Sequence, residues 1–375
     1  MMICGFAWII IGLIGAMPYT LSGSVPNYMD AVFETVSGIT TTGSSILNNI
    51  EILPRSILFW RSLSQWIGGM GVLVFVIAIL PKKDGSATAL AKAEIPGPKF
   101  GKLVSKMRFS ARILYAMYVV MTLIEVAILC GLKMPVFDSF CHAMTTASTG
   151  GFSVKNASIA HYNSAGIEVT ITVFMLLFSV NFNVYFMYIA GQFLKALKNE
   201  ETIWFFSIYG VVVAGITACL VVSSTYATVG ESLRHASFTV ASIISTTGYV
   251  TANYETWPVF AHILLLAIMF IGGSAGSTAG GLKVSRVIIL SKSSMLSAKK
   301  MLSPRSVSSV RLDGKPVGDD IIHNTSRYFV WYMFIFVVST LFVALDKSVS
   351  GNGGIVTSIS SVATCLNNVG PGLAG

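Results

Sequence analysis

The sequence predicts an all-α polytopic membrane protein built as four pseudo-repeats around a central pore. Each repeat reads as a helix, a short re-entrant helix with a polar, glycine-ended loop, and a returning helix. Three observations predict it. The 375 residues are 54% hydrophobic and 11% charged, with a mean hydropathy of +0.73, whereas a soluble domain carries about 25% charged residues. Apolar runs occur near 3–18, 57–80, 113–131, 167–190, 203–222, 258–271 with its continuation, and 328–345, and roughly 20 residues suffice to cross the ~30 Å of hydrocarbon. A polar tract ending in glycine returns at long, similar intervals: Thr40-Thr41-Thr42-Gly43, Ser148-Thr149-Gly150, Thr246-Thr247-Gly248 and, less alike, Asn368-Val369-Gly370. Taken on Gly43, Gly150, Gly248 and Gly370 the spacings are 107, 98 and 122 residues, an internal period too long for a solenoid.

The first repeat occupies 1–80. Its opening apolar run lacks the basic flank of a signal peptide and reads as a helix, and Pro26 to Ile39 carries Ala31, Phe33, Val36 and Ile39 on one apolar face. A run this short cannot span; between two spans it reads as re-entrant, and irregular backbone at that depth survives only where it lines water or is buried in protein. The second repeat, 113–194, has Pro135 to Thr146 as its short helix; the third, 203–290, has Glu231 to Ser245; the fourth, 328–375, has Gly354 to Leu366. The chain stops five residues after Gly370, so the expectation is a fourth repeat lacking its last helix.

The net charge of +9 reports orientation. Nineteen of the 25 Lys and Arg residues lie in alternate connections, at 81–112, near 195–202 and across 283–327. The positive-inside rule places these in the cytoplasm and the tracts on the outer side, and leaves no call for a nucleic-acid partner. The loops 81–112 and 291–327 mix turn residues with charge and read either as solvated linkers or as a docking surface for a cytoplasmic partner. Cys4, Cys130, Cys141, Cys219 and Cys365 form no CxxC pair and read as free buried thiols. The five histidines form no HExxH or HxxxH pair and read as structural or exposed; with no catalytic pair at membrane depth, an enzyme is not expected.

The tracts suit a cation. Loops of this kind present main-chain carbonyls in place of an ion's hydration shell, a short helix entering from outside points its partly negative C-terminus at the ion, and glycine lets an adjacent carbonyl turn because φ can be positive. The expected donors are the carbonyls and hydroxyls of Thr41, Thr42, Gly43, Ser148, Thr149, Gly150, Thr246, Thr247, Gly248, Asn368, Val369 and Gly370. A second constellation, Gly272-Gly273-Ser274-Ala275-Gly276-Ser277-Thr278-Ala279-Gly280-Gly281, interrupts the last helix of the third repeat. It fails as a phosphate loop, since Gly281-Leu282-Lys283 is not GK[ST] and no strand precedes it. It reads either as close packing through small residues or as a gate below the tracts, with Gly272, Gly273, Gly276, Gly280 and Gly281 supplying flexibility and Lys283 and Arg286 marking its cytoplasmic exit. Glu125 is the one carboxylate clearly inside a span, near its outer end, and reads as interfacial or bundle-facing, or as a proton or sodium relay. Glu34 either anchors the first short helix or draws cations to the mouth.

FETVSGITTTGSS, HAMTTASTGGFS, STTGYVTANY and LNNVGPGLAG resemble the four pore loops of the Trk/Ktr/HKT superfamily of potassium transporters, and QWIGGMGVLVFVIAILP resembles its first returning helix. The resemblance is closest to the TrkH branch and covers essentially the whole chain. It implies potassium as the permeant ion, with Gly43 where potassium-selective members carry glycine. It also implies a homodimer in the bacterial inner membrane, and a cytoplasmic regulatory subunit of TrkA or KtrA type that would hold any nucleotide site. The alternative it leaves open is a sodium-permeable or ion-coupled symporter of the KtrB/HKT type. TrkH proteins usually carry two helices before the first repeat, which implies a chain shortened at that end or a plan nearer KtrB. The basic residue of the family's last helix has no counterpart here.

Overall fold

The structure is a computed structural model that describes residues 2–71, 107–303, 309–346 and 354–372. Most of the loop expected at 81–112 and the second half of the first returning span lie outside these residues. The first repeat contains α1 (Met2–Gly15), α2 (Met17–Leu21), α3 (Tyr28–Ile39) and α4 (Arg55–Gly69). The second contains α5 (Met107–Gly131), α6 (Val136–Ala147), α7 (Ala165–Ser179) and α8 (Phe182–Ile189). After the short α9 (Phe193–Leu197), the third contains α10 (Glu200–Val222), α11 (Val229–Ile244), α12 (Val259–Ile271) and α13 (Val284–Leu302). The fourth contains α14 (Asp319–Val343) and α15 (Gly354–Asn367). The strands β1 (Arg311–Leu312) and β2 (Lys315–Pro316) form a hairpin, with Arg311 opposite Pro316 and Leu312 opposite Lys315.

Among the described residues three helices are long and apolar enough to cross a membrane: Arg112–Gly131 within α5, α10 and α14. The run 167–190, expected as one inward span, is instead α7 and α8 bent by 89°. Val180 leaves the helix with ψ 148°, and Asn181 starts the next by accepting a hydrogen bond from Asn183 N. Large apolar side chains face outward, among them Val330, Trp331, Phe334 and Leu341 on α14, as lipid-facing helices require.

The short helices α3, α6, α11 and α15 are the inner elements. Each carries small or hydroxylated residues on its inner face, and the buried set on α6 runs without a gap from Cys141 to Ala147. Their starts are capped where the sequence offers a side chain: Asn27 accepts from Met29 N, and Thr228 accepts from Glu231 N. Of the cysteines, Cys141 is buried as expected, but Cys365 is exposed and Cys130 and Cys219 are half-buried; the apolar segments they sit in face outward as much as inward.

Candidate functional site: four tracts in a ring above a glycine-rich loop

Each inner helix ends in the same backbone turn. Thr42 N, Gly150 N, Thr247 N and Val369 N donate to the carbonyl five residues back, on Ser37, Thr145, Ser242 and Thr364. One residue earlier, Thr41 N, Thr149 N, Thr246 N and Asn368 N donate to the carbonyl three residues back. This paired pattern is the Schellman ending, which puts its turning residue in the left-handed region. That residue is Thr41 (φ 58°), Thr149 (φ 54°), Thr246 (φ 59°) or Asn368 (φ 57°). Three of the four are β-branched, for which this region is strained and clusters at functional sites.

A second left-handed residue follows two positions on: Gly43 (φ 79°), Gly151 (φ 76°), Gly248 (φ 83°) and Gly370 (φ 96°). The register in the second tract is therefore displaced by one from the sequence expectation. Gly151 is the counterpart of Gly43, and Gly150 is the counterpart of Thr42, Thr247 and Val369. A run of two glycines leaves the pivot open in sequence; the hydrogen bond from Gly150 N to Thr145 O fixes it. Alternating right- and left-handed residues turn successive peptide groups the same way, which aligns N–H groups in anion-binding nests and by the same geometry aligns carbonyls on the other face.

The tracts close on one another in order. A Cβ placed on Gly43 would lie 2.2 Å from Gly150 O, one on Gly151 1.8 Å from Thr247 O, one on Gly248 2.1 Å from Val369 O, and one on Gly370 3.2 Å from Thr42 O. Each glycine thus packs on the equivalent carbonyl of the next tract, and the fourth returns to the first. The seam between fourth and first is stitched by side chains: Thr42 Oγ1 donates to Asn368 Oδ1 (3.1 Å), Asn368 Nδ2 to Thr40 O (3.2 Å) and Ser44 Oγ to Gly370 O (3.2 Å). The partly negative C-termini of all four inner helices meet at this ring, and none has a basic residue in its last turn.

Behind the ring stands a buried network of which the sequence singled out only Glu34. Arg61 and Glu34, 1% and 0% exposed, pair at 2.7 Å. Glu34 also accepts from Ser45 Oγ (3.0 Å) and Ile46 N (3.3 Å), while Arg61 donates to Ser153 O (3.2 Å) and lies 4.1 Å over the Phe152 ring. The pair therefore ties the segment after the first tract to the segment after the second, and Glu34 is an anchor. His142 stands at the equivalent place in α6, its Nε2 3.0 Å from Ser153 Oγ. Gln65 Nε2 donates to Gly150 O (2.7 Å) and its Oε1 accepts from Phe152 N (3.1 Å), using one of the two lone pairs of that carbonyl. Glu168 and Arg234 form a two-bonded pair, both contacts 2.6 Å, between α7 and α11. The only sequence signal for these residues was polarity within otherwise apolar helices.

The run 272–281 separates α12 from α13 and lies directly against the ring. Gly280 N donates to Thr246 Oγ1 (2.6 Å), and a Cβ on Gly280 would lie 2.4 Å from Asn367 O. Gly272 (φ 69°), Gly276 (φ 73°) and Gly281 (φ 77°) take left-handed conformations, and Gly273 is packed against Ala279. The loop leans on the break between α7 and α8: Ser274 N donates to Ser179 O (2.9 Å) and Phe182 N to Gly276 O (3.1 Å). Lys283 is 4% exposed, itself left-handed at φ 76°, and its Nζ donates back to Ala279 O. Arg286, half-buried, stacks 4.2 Å over the Tyr328 ring. Glu125 is fully buried, which is the bundle-facing of the two places the sequence allowed, with the Thr146 side chain beside it.

Known proteins share this sequence pattern and fold. Residues 1–374 match the TrkH family, described as a cation transport protein. The chain is 35% identical over 370 residues to the Trk system potassium uptake protein TrkH of Salmonella typhimurium, covering 98% of this chain and 75% of that protein. It is 33% identical over 367 residues to the Trk system potassium uptake protein TrkG of Escherichia coli, covering 97% and 75%. The crystal structure of the potassium transporter TrkH from Vibrio parahaemolyticus superposes with a TM-score of 0.85 at 30% identity, covering 98% of this chain and 75% of that one. The chain belongs to the TrkH family of cation transport proteins.

Proposed function

We propose that this chain takes up potassium across the cytoplasmic membrane through the ring, which acts as the selectivity filter. Thr41-Thr42-Gly43, Ser148-Thr149-Gly150 with Gly151, Thr246-Thr247-Gly248 and Asn368-Val369-Gly370 supply the oxygens, and the loop 272–281 gates the path beneath them. The observation that carries this reading is the closure of the four tracts, each glycine on the next tract's carbonyl. Carbonyls stacked this way replace the hydration shell of a cation without any side chain entering the path, and four converging helix C-termini favour positive charge there. Uptake needs no covalent chemistry. The names of the relatives, potassium uptake proteins of Trk systems, supply the ion. They also support assembly with other Trk components, for which we infer a homodimer and a cytoplasmic nucleotide-binding subunit of TrkA type.

The test is rubidium and potassium uptake by a potassium-transport-deficient bacterium expressing the chain, with Gly43→Ser beside it. The expected result is uptake that prefers potassium to sodium in the natural chain and loses that preference in the variant. A variant with unchanged preference would remove the ring from the selectivity mechanism. Coupled symport is the second reading, favoured by the carboxylate of Glu125, fully buried inside a spanning helix. A reversal potential that follows the proton or sodium gradient as well as potassium would select it.

A further inference from the structure

The glycine-rich loop makes many main-chain contacts and has one carboxylate anchor. Glu201, the second residue of α10, is 4% exposed. Its Oε1 accepts from Ala275 N at 2.6 Å, in the middle of the loop, and from Ser285 N at 3.1 Å, in the first turn of α13 just beyond it. One oxygen therefore holds the loop to the helix that follows it. The second of these donors belongs to a helix N-terminus, whose free N–H groups and partial positive charge favour a carboxylate.

The adjacent residue, Glu200, faces the other way. Its Oε2 accepts from Asp313 N (3.2 Å), and its own N–H donates to Asp313 Oδ1 (2.7 Å). Asn199 Nδ2 donates to Asp313 Oδ2 (3.1 Å), and Lys292 Nζ bridges Glu200 Oε1 and Arg311 O. Asp313 and Gly314 form the two-residue turn of the β1–β2 hairpin, both at positive φ (49° and 75°), the turn that an Asp-Gly pair favours. The hairpin on the basic, cytoplasmic side and the loop under the ring are thus fastened to consecutive residues of one helix end.

We propose that Glu201 is the positioning residue that keeps the loop 272–281 against the ring, and that Glu200 makes the hairpin a handle on it. A pull on Asp313 moves the first turn of α10, and with it the only side-chain carboxylate among the described residues that bonds the loop. This deepens the gate reading of the loop and rests on it.

The experiment measures resting rubidium flux, and its potassium-to-sodium preference, for the full chain in liposomes. Glu201→Ala removes the acceptor of both hydrogen bonds and is expected to raise resting flux about tenfold with selectivity unchanged. Loss of folding would instead lower flux or blur selectivity. Glu201→Gln keeps the Oε1 acceptor and should stay close to the natural chain; a Gln variant as open as the Ala one would show that charge, not the two hydrogen bonds, sets the loop and would overturn the proposal. Asp313→Ala, at the hairpin surface, is expected to raise flux about threefold and to add little on top of Glu201→Ala, because both act through one helix end. Additive effects would break the handle. Replacing the loop by a short linker separates the two readings: raised flux there with unchanged flux in Glu201→Ala and Asp313→Ala removes the latch and leaves the gate, whereas unchanged flux in all three removes both.

Discussion

The ring and the glycine-rich loop are both irregular backbone at membrane depth, touching through Gly280 N and Thr246 Oγ1, yet they are held in opposite ways. The ring is made of four copies of one helix ending, each locked by the same two main-chain hydrogen bonds and backed by buried side chains such as Arg61, Glu34, Gln65 and His142. Its glycines are fixed from outside, because the next tract's carbonyl occupies the space of a Cβ. The loop occurs once and is held by dissimilar bonds to the ends of other helices, Ser274 N to Ser179 O and Phe182 N to Gly276 O among them, and a Cβ on Gly276 would approach only the side chain of Asn181, at 3.1 Å. The ring repeats one ending four times, whereas each tie of the loop is different in kind and made once, so the loop has no equivalent copy to hold its geometry when one tie is lost.

Three substitutions sharpen that contrast. Gly151→Ala is expected to have the largest effect, abolishing selective rubidium uptake: the new Cβ would lie 1.8 Å from Thr247 O on backbone that cannot move without the whole ring. The left-handed φ adds a strain of roughly 1–2 kcal/mol. Gly151→Ala with full uptake would mean that the second tract is not part of the filter. Next comes Arg61→Met, which strands Glu34 as an unpaired charge buried behind the ring. The expected loss is about 3–5 kcal/mol of stability, read as a lower unfolding temperature in detergent, and Glu34→Gln in the same chain should recover part of it. The smallest effect is expected for Gly276→Ala. It carries the same left-handed strain but meets a side chain that can turn aside, so uptake and selectivity should stay within about threefold of the natural chain. A collapse as severe as that of Gly151→Ala would show that the loop is as rigidly fixed as the ring.

Much of this was readable before any coordinates. The four inner helices start and stop within two or three residues of where periodicity and the tract glycines put them, because a short amphipathic run ending in a turn leaves little freedom. What escaped was decided by the direction the folded backbone takes, which residue types alone do not fix. Gly150 and Gly151 are equivalent as letters, and only the hydrogen bond to Thr145 and the approach of Thr247 distinguish them. Three threonines adopt the left-handed conformation against their own preference, which no local rule suggests. Lys283 belongs to a basic run yet is buried, because the loop folds back to give its ammonium the Ala279 carbonyl.

The sequence by itself determined that this is a four-fold repeated membrane protein and which tracts belong together, and it set the expectation that the basic loops are cytoplasmic. Those follow from hydropathy, charge placement and glycine spacing, all of which are local or summed along the chain. Only the tertiary structure decided that the tracts close in order, that Arg61 and Glu34 bind the first to the second, and that Glu200 and Glu201 fasten a surface hairpin and an internal loop to one helix end. The reason is physical: ring closure depends on the direction of single carbonyls, and a buried carboxylate takes its meaning from whichever N–H groups folding brings to it.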